Sequence, residues 1–480
     1  MTSRPAALGR AAGLVAALPL LGCSPIGPDY VRPAAIVPTQ YKEIKGWKIA
    51  TPRDDFAKGE WWKLFGDHEL DRLESQVAVS NQTLKSDEAN YREALALIAE
   101  ARAGLFPTVS ADPSLTRSNS LGYQLQAEIT GSWTPDIWGI VRRTIEEQGA
   151  AAQVTAGVLA NATLSEQSAL ALAYVQVREA DSLHDLLADT VKQYQRSLNI
   201  TQNQYVAGTA AKSDVITAQA QLLAAQASEI NTGVARAQNE HAIAVLMGRP
   251  PSELSVSHAP LAKTVPRIPV DLPSTLLERR PDVAEAERTM KEENASIGVA
   301  MGGYYPQLTL SGAAGYAGNP FIAQIAGANP VWSYGLSLAQ TLFNGGLTDA
   351  QVELARGSYQ ASVASYRQTV LTAFQQVEDN LVAIRVLGEE AKVQVEAVNS
   401  AQQAVQIAIN EYRAGTQSFT TVVTAEATAL TDEESLLATE ASRLTAAFTL
   451  VVALGGGWTD DKLPDPALVP LAPAPTPAPI

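Results

Sequence analysis

Tyr205-Val206-Ala207-Gly208-Thr209 returns 207 residues later as Tyr412-Arg413-Ala414-Gly415-Thr416, and this pair of stretches decides the fold. The same shift aligns Val215-Ile216-Thr217-Ala218 with Val422-Val423-Thr424-Ala425, and Gly248 with Gly455. Upstream, Phe106-Pro107 answers Tyr305-Pro306 at a shift of 199, so the second copy carries eight extra residues in between. One supersecondary plan is therefore used twice.

Working outward, each copy holds two runs of strict alternation. From Leu121 to Trp133 the odd positions read Leu, Tyr, Leu, Ala, Ile, Gly, Trp, against Gly, Gln, Gln, Glu, Thr, Ser. Val109, Ala111, Pro113 and Leu115 alternate with Ser110, Asp112, Ser114 and Thr116. In the second copy Leu308, Leu310, Gly312, Ala314 and Tyr316 form one apolar set, and Trp332, Tyr334, Leu336, Leu338 and Leu342 another. Strands are expected at about 108–117, 121–134, 307–316 and 331–343. Alternation of this length suits a transmembrane barrel, though a half-buried soluble hairpin alternates identically. The absence of Asp, Glu, Lys and Arg from Asn294 to Thr348, in a chain that is 18% charged, favours the membrane. Four strands cannot close a barrel, for which about eight are needed, and an open edge in lipid leaves backbone groups unpaired. The sequence thus predicts an oligomer.

Between Pro135 and Pro250, and again between Pro330 and Pro464, there is no proline. These Ala-, Gln-, Glu- and Leu-rich stretches read as long helices, about 139–205 and 346–413, each followed by a glycine turn and a second helix. At 1.5 Å per residue such helices reach about 100 Å, which calls for a long bundle or coiled coil. Shorter helices are expected over 67–104 and 280–302.

The amino terminus reads as an export signal: Arg4 and Arg10, then apolar Ala11 to Leu21. It ends in Leu20-Leu21-Gly22-Cys23, which resembles a bacterial lipobox, and Cys23 is the only cysteine of the chain. Ser24 follows it, with no aspartate of the kind that retains lipoproteins at the inner membrane, so outer-membrane delivery is expected. Without the two signal arginines, 33 basic residues face 50 acidic ones, a net of −17. That balance argues against nucleic acid and, along a narrow water path, favours cations. No uncharged apolar run of about 18 residues marks a transmembrane helix elsewhere. The Pro- and Ala-rich end reads as a disordered extension. The division is a 1–22 signal, a 23–66 lipidated extension, repeats at 67–250 and 279–458 joined by a 251–278 linker, and a 459–480 tail.

Further motifs follow the order of a known family. Pro28-Asp29-Tyr30 comes shortly after the cysteine, then Trp61-Trp62-Lys63-Leu64-Phe65-Gly66-Asp67. Trp133-Thr134-Pro135-Asp136-Ile137-Trp138-Gly139 and Gln340-Thr341-Leu342-Phe343-Asn344-Gly345-Gly346 stand at the two strand-to-helix junctions. Leu277-Glu278-Arg279-Arg280-Pro281-Asp282-Val283 opens the second repeat, and Ala453-Leu454-Gly455-Gly456-Gly457-Trp458 closes it. The chain resembles the TolC-type outer-membrane efflux factors, in the lipoprotein NodT or OprM-like branch. The resemblance implies a mainly α fold with a β-barrel part: a homotrimer with a shared twelve-stranded transmembrane β-barrel and a periplasmic α-barrel of long antiparallel helices. It implies a passive duct in the outer membrane, lipid-anchored through Cys23. Its partners would be outer-membrane lipid, a periplasmic membrane-fusion adaptor and an inner-membrane pump of the resistance-nodulation-division class.

The resemblance also places Gly208, Thr209, Gly415 and Thr416 at the periplasmic tip, where the adaptor docks. The resemblance implies a periplasmic gate at this narrow end, in which Asp214 matches an acidic residue and Tyr412 a tyrosine able to hydrogen-bond to it. Capping of the helix after the turn accounts equally well for Asp214. The family's gate arginine is Gln417 here, and its aperture acids are Thr421 and Thr424.

No catalytic, cofactor or metal constellation is expected. His68, His184, His241 and His258 lack ligand spacing. The run Gly312 to Gly318 reads as small residues of an external loop rather than a phosphate cradle. Arg279-Arg280-Pro281-Asp282 reads as a helix start. A general diffusion porin would spend its length on strands, and a structural coiled-coil lipoprotein would leave the charge-free strand segment without a role.

Overall fold

The computed structural model describes residues 25–35, 37–43, 59–119, 122–268, 278–318, 330–459, 463 and 465. Cys23 and the signal segment lie outside them, as do 269–277 of the linker, the tip of the second hairpin at 319–329, and most of the tail. The first repeat runs α1 (His68–Ser80), α2 (Gln82–Ala103), β1 (Thr108–Ser118), β2 (Gly122–Trp133), α3 (Ile140–Val206) and α4 (Lys212–Leu246). The second runs α5 (Pro281–Met301), β3 (Gln307–Gly318), β4 (Pro330–Ala339), α6 (Leu347–Arg413) and α7 (Phe419–Ala453). Both long hairpins are 67 plus 35 residues, in register at the 207-residue shift.

Each hairpin turns at the repeated motif. Gly208 (φ 78°) and Gly415 (φ 74°) take the left-handed conformation that glycine adopts at little cost. Thr209 donates from both N–H and Oγ1 to Gln204 O, and Thr416 does the same to Glu411 O.

The waist repeats the logic with different side chains. Asn81 donates its amide to Leu246 O, and its equivalent Arg280 donates a guanidinium N–H to Ala453 O. Gly248 (φ 66°) and Gly455 (φ 95°) press against the carbonyls of Ser80 and Arg279, where a Cβ has no room. The helix expected over 67–104 is in fact two. Asn81 accepts from Thr83 N and Leu84 N, so it caps α2 instead of continuing α1.

The four strands form one antiparallel sheet in sequence order, β1-β2-β3-β4, with β1 and β4 as its outer strands. Leu115 faces Leu125, and Leu310 lies between Trp133 and Leu336, so the apolar positions gather on one face. Trp332 and Tyr334 there are 72% and 83% exposed in the single chain. The other face is hydroxylic: Ser110 Oγ and Thr130 Oγ1 lie 2.7 Å apart, and both donate to Asp112.

Two strand expectations need correcting. The last strand ends at Ala339, not at 343. The Gln340 amide turns back to Tyr304 O and Thr341 O, drawing the chain out of the sheet although alternation continues to Leu342. The Gly312–Gly318 run is not a loop but the second half of β3. Gly315 sits against the Ala127 carbonyl of β2, which explains why a residue without Cβ stands there.

The main core lies at the waist, where α3, α5, α6 and α7 pack together with the segment before α1. Trp61, Tyr41, Leu381, Met290 and Phe448 are fully buried there. Each such apolar side chain contributes about 1.5–3 kcal/mol. Among the described residues α7 alone is long and apolar enough to cross a membrane, by length and composition. Its apolar residues from Leu444 to Val451 are instead packed in this core.

Candidate functional site

At the tip a second core draws on all four hairpin helices: Tyr194 and Leu198 of α3, Leu222 and Ala225 of α4, Ala408 and Tyr412 of α6, Phe419 and Val422 of α7. Tyr412 is buried, with its ring 5.2 Å from that of Phe419. Gln204 of α3 ties down the end of α6 by donating to Tyr412 O at 3.2 Å. Burial raises the Tyr412 phenol above its ordinary pKa; nearby Thr201 opposes that shift and Asp214 adds to it. The hydroxyl feels both neighbours, yet its geometry completes a hydrogen bond with neither.

Asp214 lies in the first turn of α4. The cap position belongs to Ala211, which has no side-chain cap bond, so the capping account of Asp214 fails. A carboxylate three residues into the helix still suits the positive end of its dipole. Gly208, Thr209, Gly415 and Thr416 form the exposed turns beside this cluster. Gln417 and Thr421 contact each other one turn apart, so no charge stands where the family pattern has a gate arginine.

At the opposite end of the helices, residues 25–30 form a strap laid across the β2–α3 junction. Ile26 N donates to Trp138 O at 3.1 Å. The Arg143 guanidinium, 3% exposed, donates to Ile26 O, Gly27 O and Asp29 Oδ1, at 2.8, 3.2 and 2.8 Å. Asn294 donates to Pro28 O, and Tyr30 to Glu287 at 2.6 Å. Trp133 and Trp138 stand where β2 gives way to α3, and the Trp138 ring lies 5.1 Å from that of Tyr305, just before β3. Trp133 donates to Leu105 O and Trp138 to Pro306 O, an arrangement suited to a membrane interface. Sequence reasoning missed this strap, because Arg143 reads as an ordinary helix-surface charge and its partners are more than a hundred residues away.

Further along the helices, Glu147, Glu292 and Glu293 crowd where α3 passes α5. Burial first, then repulsion from its neighbours, pushes Glu292 up to about 7. Among the described residues no group of His, Cys, Asp and Glu is arranged to hold a metal ion. The Arg280 cluster is a helix start, as expected, with Pro281 in the first turn and Arg280 paired to Asp282.

Known proteins share this architecture. The toluene efflux pump outer membrane protein TtgC of Pseudomonas putida is 29% identical over 459 residues, covering 92% of this chain and 94% of that protein. The pyoverdine export outer membrane protein OpmQ of Pseudomonas aeruginosa is 28% identical over 473 residues, covering 94% and 97%. The solved outer-membrane channel OprN superposes with a TM-score of 0.82 at 28% identity, over 90% of this chain and 99% of that one. Such relatives are transport proteins of the outer membrane. Residues 73–249 and 272–456, the two repeats, each match the outer membrane efflux protein family model, and the chain belongs to that family.

Proposed function

We propose that three copies of this chain close a passive efflux duct, giving four strands each to a twelve-stranded barrel. The α3–α4 and α6–α7 hairpins form its periplasmic tunnel. The observation that carries this reading is a difference between matched surfaces. Inside one chain α7 packs on α3, and Val423, Leu430 and Leu437 are partly covered. Their equivalents on α4, Ile216, Leu223 and Ile230, are 57%, 56% and 78% exposed. On α6, Val393 and Ile407 are likewise bare, whereas Leu186 and Ile200, their counterparts on α3, are half-covered. A neighbour's α4 laid on α6 would repeat the internal seam, and the same rotation would bring β4 beside a neighbour's β1.

In this reading Cys23 carries the lipid anchor. The strap holds residue 25 at the strand-to-helix level, and two more residues reach about 7 Å, so the acyl chains enter the leaflet beside the barrel. A periplasmic adaptor docks on the tip turns, and an inner-membrane pump of the resistance-nodulation-division class drives export. Relatives named for toluene and for pyoverdine are about equally similar, so the cargo is set by the pump. Detergent-extracted protein should have three times the chain mass and a mainly helical spectrum, and labelled palmitate should be lost in Cys23→Ser. A monomer would defeat the duct, and retained label would defeat the anchor.

A further inference from the structure

One buried carboxyl group lies between the two repeats where the tip begins. Glu426 of α7 is 3% exposed and stands one turn above Val422 of the tip core. Ser197 of α3 donates to its Oε1 at 2.5 Å. Its other oxygen, Oε2, is buried with no partner. As an anion the group leaves that oxygen desolvated and unbonded, which is costly, whereas the neutral acid suffers far less.

The surroundings add no compensating cation. On α3 the facing titratable group is Tyr194, whose phenol is pushed up to about 12 by burial and by Glu426, Glu434 and Glu433, so it stays neutral at ordinary pH. On α7 itself the next acids are Glu433, which accepts from Gln402 of α6, and Glu434, held above the usual carboxylate range by burial. At this level α4 presents Ala218, Leu222 and Ala225, and α6 presents Ala408 and Tyr412. The contact also has no twin. The 207-residue shift turns Ser197 into Ala404 and Glu426 into Gln219, both exposed.

We propose that Glu426, buried between the two hairpins of one chain against Ser197, is a proton-controlled latch that holds the tip closed while it carries its proton, with Ser197 setting the pH at which it lets go. The latch rests on the proposed duct, with the tip, where the family pattern has its gate, as the closed end. It works only in the seam within a chain, because the seam between chains has Gln219 and Ala404 in its place.

The sign follows from linkage. Burial raises the Glu426 carboxyl to about 7, with Ser197 opposing the shift, while a tip opened to water returns it to the ordinary 4.5. Protons therefore favour the closed form. Closure is strongest below the ordinary carboxylate range and is lost as pH rises through about 7. Each pH unit between the two pKa values changes the closed-to-open ratio about tenfold per chain.

The test uses the full-length lipidated protein in planar bilayers from pH 5.5 to 8.5. Wild-type conductance should rise as pH passes about 7, whereas Glu426→Gln should stay low and flat. Ser197→Ala removes the hydrogen bond that stabilises the anion, so its midpoint should move up by about one pH unit. A purely packing role would not move that midpoint. Spin labels on Asn199→Cys and Thr428→Cys, which are exposed on the two helices, should separate with the same midpoint whatever the oligomeric state. The thermal midpoint of Glu426→Gln should match wild type. A flat wild-type profile, a pH-dependent Glu426→Gln or a fixed label distance would each overturn the latch, whereas a failed duct shows instead as a monomeric mass.

Discussion

The α3–α4 and α6–α7 hairpins are copies in length, turn and placement, yet they treat their matched residues differently. Tyr412 is buried against Phe419 and its equivalent Tyr205 is 45% exposed. Asp214 is matched by Thr421, and Glu426 by Gln219. Backbone features survived the duplication: the left-handed glycines, the helix bounds and the waist carbonyl contacts. Side chains diverged at particular points where the two hairpins meet inside one chain, Glu426 against Gln219 among them, while Leu430 of the same seam keeps its Leu223 counterpart. Duplication preserves the frame, and the inequivalence of seams within and between chains selects the chemistry placed on it.

The largest effect should come from charging matched positions in the two seams. Leu223→Asp on α4 puts a carboxylate where a neighbouring chain is proposed to pack. Trimers should be lost almost completely, while the folded chain keeps its helical spectrum. Leu430→Asp, its counterpart on α7, buries part of the charge inside the chain and should cost about 2–3 kcal/mol of stability. Size-exclusion mass and thermal melting read the two outcomes separately. Equal loss of fold in both variants would break the distinction between the seams.

A smaller effect sharpens what the copies share. Gly248→Ala and Gly455→Ala each force a Cβ onto a backbone carbonyl at positive φ, and each should destabilise by about 2–4 kcal/mol. Gly208→Ala and Gly415→Ala meet open space, so only the left-handed backbone opposes them, at about 1 kcal/mol. Melting temperatures should therefore drop in two matched pairs, the waist well below the tip.

These pairs also show what was legible in the sequence. The proline-free stretches and the glycine turns located both long helices to within a residue, because helix length and the glycine turn are local properties with strong signatures. Alternation located the strands but overran β4, since pattern alone cannot register the Gln340 amide leaving the sheet. The break at Asn81 was missed because a cap and a mid-helix asparagine look alike until the preceding turn is seen. Glu426 and Arg143 were invisible for another reason. Each is a polar residue within a helix rich in such residues, and its role comes from partners 229 and 114–117 positions away. Asp214 and Tyr412 were singled out through family resemblance, and the fold brings them together without completing their bond.

That incomplete bond sets the smallest effect. A hydroxyl-to-carboxylate bond, sheltered and well formed, is worth about 1.5–3 kcal/mol. Here the Tyr412 hydroxyl is buried without a finished partner, so the polar contribution to closure should fall below about 1 kcal/mol per chain. The ring is different: it packs on Phe419 and seals the tip core. Tyr412→Phe keeps the ring and should raise single-channel conductance by less than about twofold. Asp214→Ala should do the same, and the double variant should add little, since both remove one contact. Tyr412→Ala opens a cavity in the tip core and should raise conductance well beyond either. If Tyr412→Phe matched Tyr412→Ala, the hydroxyl would hold the tip after all. If Asp214→Ala and Tyr412→Phe both left conductance unchanged, closure would owe nothing to this polar pair, with Asp214 serving only the dipole of α4.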